Sequence, residues 1–67
     1  MRIEVNGRAT ELASQATVAD AVEALGAEAR RGVAVAVEGE VVPRSEWDST
    51  LLRDGQQVEV LHAVQGG

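Results

Sequence analysis

The 67-residue chain contains no cysteine, no lysine, no tyrosine and no phenylalanine. Without cysteine, no disulfide staples the fold, and no thiol serves as nucleophile, metal ligand or persulfide carrier. Histidine occurs once, at His62, with no cluster of metal-ligand side chains around it. Trp47 is the sole aromatic residue and Pro43 the sole proline. No run approaches the roughly eighteen apolar residues of a membrane span. The opening Met1-Arg2-Ile3-Glu4 lacks the apolar stretch of a signal peptide. A soluble, cytoplasmic chain is expected. With no lysine, the chain offers no amine side chain on which to attach a copy of itself.

What is present is small, acidic and rich in valine and alanine. Eleven acids against six bases, all arginine, leave a net charge of −5. That charge disfavours nucleic acid and anionic membrane surfaces, and suits a partner with a basic groove. A chain of this size makes one domain, residues 1–67, near the lower limit for a self-sufficient core. It leaves little room for both a deep substrate pocket and a catalytic apparatus. No phosphate loop, metal-ligand spacing or nucleophile triad appears. A carrier or binding module is favoured over an enzyme, with no bound cofactor.

Residues 2–6 alternate polar and apolar, with Ile3 and Val5 on one face, which predicts a half-buried strand. Asn6-Gly7 is a strong hairpin signal, because a type I′ turn needs positive φ at both central residues. Residues 8–12 return as the antiparallel partner. Thr17 predicts a helix N-cap with Asp20 closing a capping box. Val18, Ala21, Val22 and Leu25 form the apolar stripe, with Asp20 and Glu23 outside. Gly26 is placed to end the helix at positive φ. Residues 27–32 read as a polar connection, with room for an extra helical turn.

Residues 33–38 point Val33, Val35 and Val37 one way, and Ala34 and Ala36 the other. Following a helix, this run is a candidate parallel central strand. Glu38-Gly39-Glu40 turns into a short strand at Val41-Val42, which Pro43 stops. Residues 44–50 read as a surface connection with a short helical turn, anchored by Trp47. One of Leu51 and Leu52 should reach the core. Asp54-Gly55 predicts a tight turn into a last strand, residues 57–64, with Val58 and Val60 inward. The half-buried His62 falls on the same nominal face. The order is β-β-α-β-β with a short extra strand. It is the plan of an α+β, ubiquitin-like β-grasp, in which a mixed sheet packs on one helix and the first and last long strands lie parallel.

The last strand leads directly to Gly66-Gly67, expected as a flexible tail over residues 65–67. Lacking Cβ atoms, this ending is thin enough to enter a narrow tunnel and present the Gly67 carboxylate. The bland alternative is an ordinary chain end. Leu61 and Ala63 share the outer face with Glu59 and are candidate docking contacts, although single exposed apolar residues are also commonplace.

The stretch Val35-Ala36-Val37, then Val41-Val42-Pro43-Arg44 with Trp47, then Leu52-Arg53-Asp54-Gly55, and the ending Val64-Gln65-Gly66-Gly67 resembles the ThiS family of thiamine-biosynthesis sulfur carriers. The resemblance covers essentially the whole chain, with the Val-Pro-Arg and Trp pattern its more specific part. Glu59 and the His62-Ala63 pair stand where the family more often carries apolar residues, which bears on partner docking. The resemblance implies that an E1-like adenylyltransferase of the ThiF type uses ATP and Mg²⁺ to adenylate Gly67. Sulfur from a cysteine desulfurase would then make the thiocarboxylate. A thiazole synthase of the ThiG type would accept that sulfur, with Gly66 and Gly67 threading both active sites. The Asp-Gly turn and Gly-Gly ending are shared with ubiquitin-like relatives. A carrier for molybdopterin or another metabolite, a ubiquitin-like modifier and a plain interaction domain therefore stand as alternatives.

Overall fold

A computed structural model describes residues 1–26 and 32–62. Five strands form one sheet: β1 (Arg2–Val5), β2 (Arg8–Glu11), β3 (Val33–Val37), β4 (Glu40–Val42) and β5 (Gln57–His62). Among the described residues there are also one α-helix, α1 (Val18–Ala24), and a 3-10 turn at Arg44–Glu46. The strand order is β2-β1-β5-β3-β4. β1 and β5 pair in parallel, as expected for the first and last long strands. The expected connection at residues 27–32 lies largely outside the described residues, as does the end of the last strand beyond His62.

The β1-β2 turn has Asn6 at φ 53 and Gly7 at φ 81, as a type I′ hairpin requires. The β3-β4 turn repeats this with Glu38 at φ 52 and Gly39 at φ 83. Side-chain alternation then builds the core. Ile3 and Val5 of β1, Val35 and Val37 of β3, and Val58 and Val60 of β5 all face α1 and are buried. Val18, Ala21 and Val22 meet them from the helix.

β3 is not a parallel strand: it pairs antiparallel with both β4 and β5. It does run in the same direction as β2, the strand before the helix, but β1 and β5 lie between them. Leu25 also departs from the expected stripe, at 47% exposed. It is the C-cap residue of α1, and the chain passes into Gly26 at φ 113 beyond it.

The seven-residue helix is too short to stand alone in water. Its first four backbone N–H groups would be orphaned without outside partners. Val18 N–H donates to the Thr50 carbonyl at 2.9 Å, and Ala19 N–H to the Trp47 carbonyl at 3.1 Å. Asp20 N–H donates to Thr17 Oγ1 at 3.2 Å, and Ala21 N–H then makes the first regular helical bond, to the Thr17 carbonyl at 3.1 Å. The Asp20 carboxylate accepts from Thr17 N–H at 2.9 Å, which closes the capping box. Residues 47–52 thus seat the helix as well as connecting strands.

Trp47 explains how that connection is held. It is 4% exposed, and its Nε1–H donates to the Val42 carbonyl at 3.0 Å. The Arg44 guanidinium lies 5.4 Å from the ring centroid, within cation–π range. Pro43 sits at the entrance to the 3-10 turn. Val42, Pro43, Arg44 and Trp47 therefore form one structural lock between the edge strand and the core. Of the two leucines, Leu52 is the core anchor at 4% exposed, and Leu51 is outside at 59%.

Candidate functional site

β5 is the element that carries the chain toward Gly67, and its start is held by side chains as well as by its neighbours. Asp54 Oδ1 accepts the Arg2 N–H at 2.7 Å, and Gly55 N–H donates to the Arg2 carbonyl at 2.7 Å. The Asp-Gly turn is thereby tied to the beginning of β1. Glu38 Oε2 accepts the Gln57 N–H at 2.6 Å, while Glu38 N–H donates to the Gln57 carbonyl at 2.8 Å. The hairpin residue with the least favourable φ is thus also a clamp on the first residue of β5.

The far end of β5 presents the outer sheet face. Leu61 is 61% exposed, opposite Ala34 of β3. Glu59 is opposite Ala36, and Ala36 is in turn opposite Val41, which is 71% exposed. Leu61, Ala34, Ala36 and Val41 consequently form a low apolar strip across three strands. The two alanines keep its middle flat. Glu59 and Glu4, which stand on the same face, give it an acidic flank.

Leu61 therefore lies where alternation places it. Ala63, Gly66 and Gly67 lie outside the described residues. His62 is exposed, not half-buried. It is opposite Val33, two positions past Val60, which is the last buried inward-facing residue of β5 among those described. The sequence reading missed Ala34, Ala36 and Val41 as companions of Leu61. The alternation of residues 33–37 does put the alanines outward. Which of two adjacent valines faces out, and that β3 neighbours β5, depend on pairing across the sheet. Among the described residues no group of three or more His, Cys, Asp or Glu side chains is placed to hold a metal. Among them, too, no helix is long and apolar enough to cross a membrane.

The chain matches the family model described as the ThiS family over residues 3–67. It belongs to the ThiS family. The sulfur carrier protein ThiS of Escherichia coli K12 is 31% identical over 67 residues, covering 100% of both chains. The crystal structure of a thiamine biosynthesis protein, ThiS, from Geobacter metallireducens superposes with a TM-score of 0.84 at 33% identity, with both chains fully covered (100%). A solution structure of a thiamine biosynthesis protein from the same organism gives a TM-score of 0.75 at 36% identity, covering 100% of this chain and 88% of the other. The fold is the ubiquitin-like β-grasp shared with these ThiS structures. In this member the residues that carried the resemblance divide by role. Val42, Pro43, Arg44 and Trp47 lock the connection, and Asp54-Gly55 starts the strand that leads to the tail.

Proposed function

We propose that this protein is the sulfur carrier for the thiazole moiety of thiamine, acting as a cosubstrate while catalysis lies with its partners. Family membership over nearly the whole chain carries the reading. The geometry supports it, because the apolar strip around Leu61 lies at the end of β5 from which the chain continues to Gly66 and Gly67. A partner that grips this face has the tail within reach. Leu61 is proposed as a docking contact, with Ala63 beyond it.

A free carboxylate is a poor acyl donor, being anionic and resonance-stabilised. In the proposed scheme an E1-like adenylyltransferase, using ATP and Mg²⁺, lets a Gly67 carboxylate oxygen attack the α-phosphorus of ATP. Pyrophosphate leaves and a mixed anhydride forms. The terminal sulfur of a persulfide, supplied through a cysteine desulfurase, attacks the acyl carbon and displaces AMP. A thiol then attacks the distal sulfur of the resulting acyl disulfide and frees the thiocarboxylate. Thiazole synthase is the proposed acceptor. In this scheme the Gly67 carboxyl carbon is the atom that holds sulfur, which agrees with a chain that has no thiol of its own. Gly66 and Gly67 leave no side chain to obstruct entry into either partner's active site.

Intact mass before and after incubation with adenylyltransferase, ATP and a persulfide source tests the scheme. The expected gain is the replacement of one oxygen by one sulfur, lost when Gly67 is deleted. ATP-dependent adenylation without sulfur uptake would instead indicate a ubiquitin-like modifier. No adenylation, with the enzyme active on a known carrier, would end the carrier reading. Sulfur uptake without transfer to thiazole synthase would move the carrier to another pathway.

A further inference from the structure

β1 stops at Val5, and its parallel pairing with β5 ends at the Val5–Val58 step. β5 continues to His62. Backbone groups point to alternate sides along a strand, so those of Val60 face the side β1 has left, while those of Glu59 and Leu61 face β3. Val60 is 4% exposed. An unpaired backbone N–H and carbonyl at such a position would be costly.

One side chain meets both groups. Asn6 Oδ1 accepts the Val60 N–H at 2.8 Å, and Asn6 Nδ2 donates to the Val60 carbonyl at 3.2 Å. The Asn6 backbone N–H also donates to the Val58 carbonyl at 2.9 Å. The side-chain amide thus stands in for the peptide unit that β1 would supply had it not turned. Asparagine suits this place doubly. Its planar amide carries a donor and an acceptor side by side, and it tolerates the φ of 53 that the turn imposes.

We infer that Asn6 is a positioning residue for activation of the tail: its amide extends the β1 support along β5 to Val60 and so sets the direction in which the strand leads toward Gly67. The inference rests on the sulfur-carrier reading. Gly67 follows Val60 by seven residues, and among the described residues the Asn6 amide is the last clamp on the Val60 side of β5 before the chain runs on to it. Asn6 acts on β5 from the β1 side, while Leu61 of the docking strip is held from the other side by its pairing with Ala34 of β3.

Two variants separate this role from the turn. Asn6→Gly keeps the positive φ and removes the amide. Asn6→Asp keeps an acceptor for the Val60 N–H and loses the donor to its carbonyl. Hydrogen exchange at Val60 should quicken about tenfold or more in Asn6→Gly relative to the Val35 amide of β3. With folded protein and the adenylyltransferase, kcat for activation should fall about tenfold while KM for the carrier stays within about twofold. Asn6→Asp should fall between Asn6→Gly and the unchanged protein, and it decides the question should the glycine variant not fold. A uniform loss of stability with unchanged kcat, or unchanged exchange at Val60, overturns the positioning role alone. Failure of the unchanged protein to be activated overturns the carrier reading, and this inference with it.

Discussion

Leu52 and Leu61 are the same residue type with opposite duties. Leu52 is 4% exposed inside the core, and Leu61 is 61% exposed on the outer sheet face. Truncating a buried leucine removes transfer free energy and leaves a cavity, so Leu52→Ala should cost about 2–5 kcal/mol in denaturant unfolding. Leu61→Glu removes little that the folded chain buries, and its unfolding free energy should change by no more than about 0.5 kcal/mol. Its affinity for the proposed adenylyltransferase partner should nevertheless drop at least about tenfold, as expected of a central apolar contact. Titration of the partner alongside chemical denaturation checks the pair. Equal losses in stability and affinity would put Leu61 in the core. The leucine pair also marks a limit of legibility. Neighbouring leucines leaving a loop carry no periodicity, and only the bridge between Thr17 and Leu51 settles which one turns inward.

At the level of elements, α1 depends on its surroundings. Its capping box is written into the local sequence by Thr17 and Asp20, and the structure forms it as read. The two N–H groups satisfied by the carbonyls of Thr50 and Trp47 were not legible, because those partners are remote in sequence. Thr17→Ala should lower stability by about 1 kcal/mol through loss of the cap. Sulfur loading of the folded protein should be unchanged, since the helix lies on the opposite face of the sheet from Leu61. Thermal unfolding together with the mass assay tests both halves. A loading defect at full folding would mean that the helix takes part in docking. Strand direction followed a different logic. Nothing within residues 33–37 says that β5 will insert between β1 and β3, so helix-then-strand order suggested a parallel neighbour that the sheet does not supply.

At the scale of the whole molecule, a net charge of −5 on so small a chain is a long-range feature. It raises encounter with a basic partner surface and is screened over a Debye length of about 8 Å at physiological salt. The association rate with the proposed adenylyltransferase partner should therefore fall several-fold between about 0.01 M and 0.15 M salt, with dissociation little changed. Stopped-flow association across that range is the measurement. A salt-independent rate would leave the apolar strip as the sole source of recognition and make the acidic flank of Glu59 and Glu4 incidental.

The chain's own sequence determined what depends on near neighbours. Turn residues at Asn6-Gly7, the Thr17–Asp20 cap and the inward alternation at Val58 and Val60 are short-range effects of sterics, hydrogen bonding and pleat. Tertiary structure alone decided three other matters: the antiparallel setting of β3, the apolar strip joining Leu61 to Val41, and the use of Asn6 as a surrogate strand for Val60. Each turns on a contact between β5 and a segment far from it in the chain. Such a contact exists only once the sheet order has brought two backbones to hydrogen-bonding distance, and no local preference encodes that order by itself.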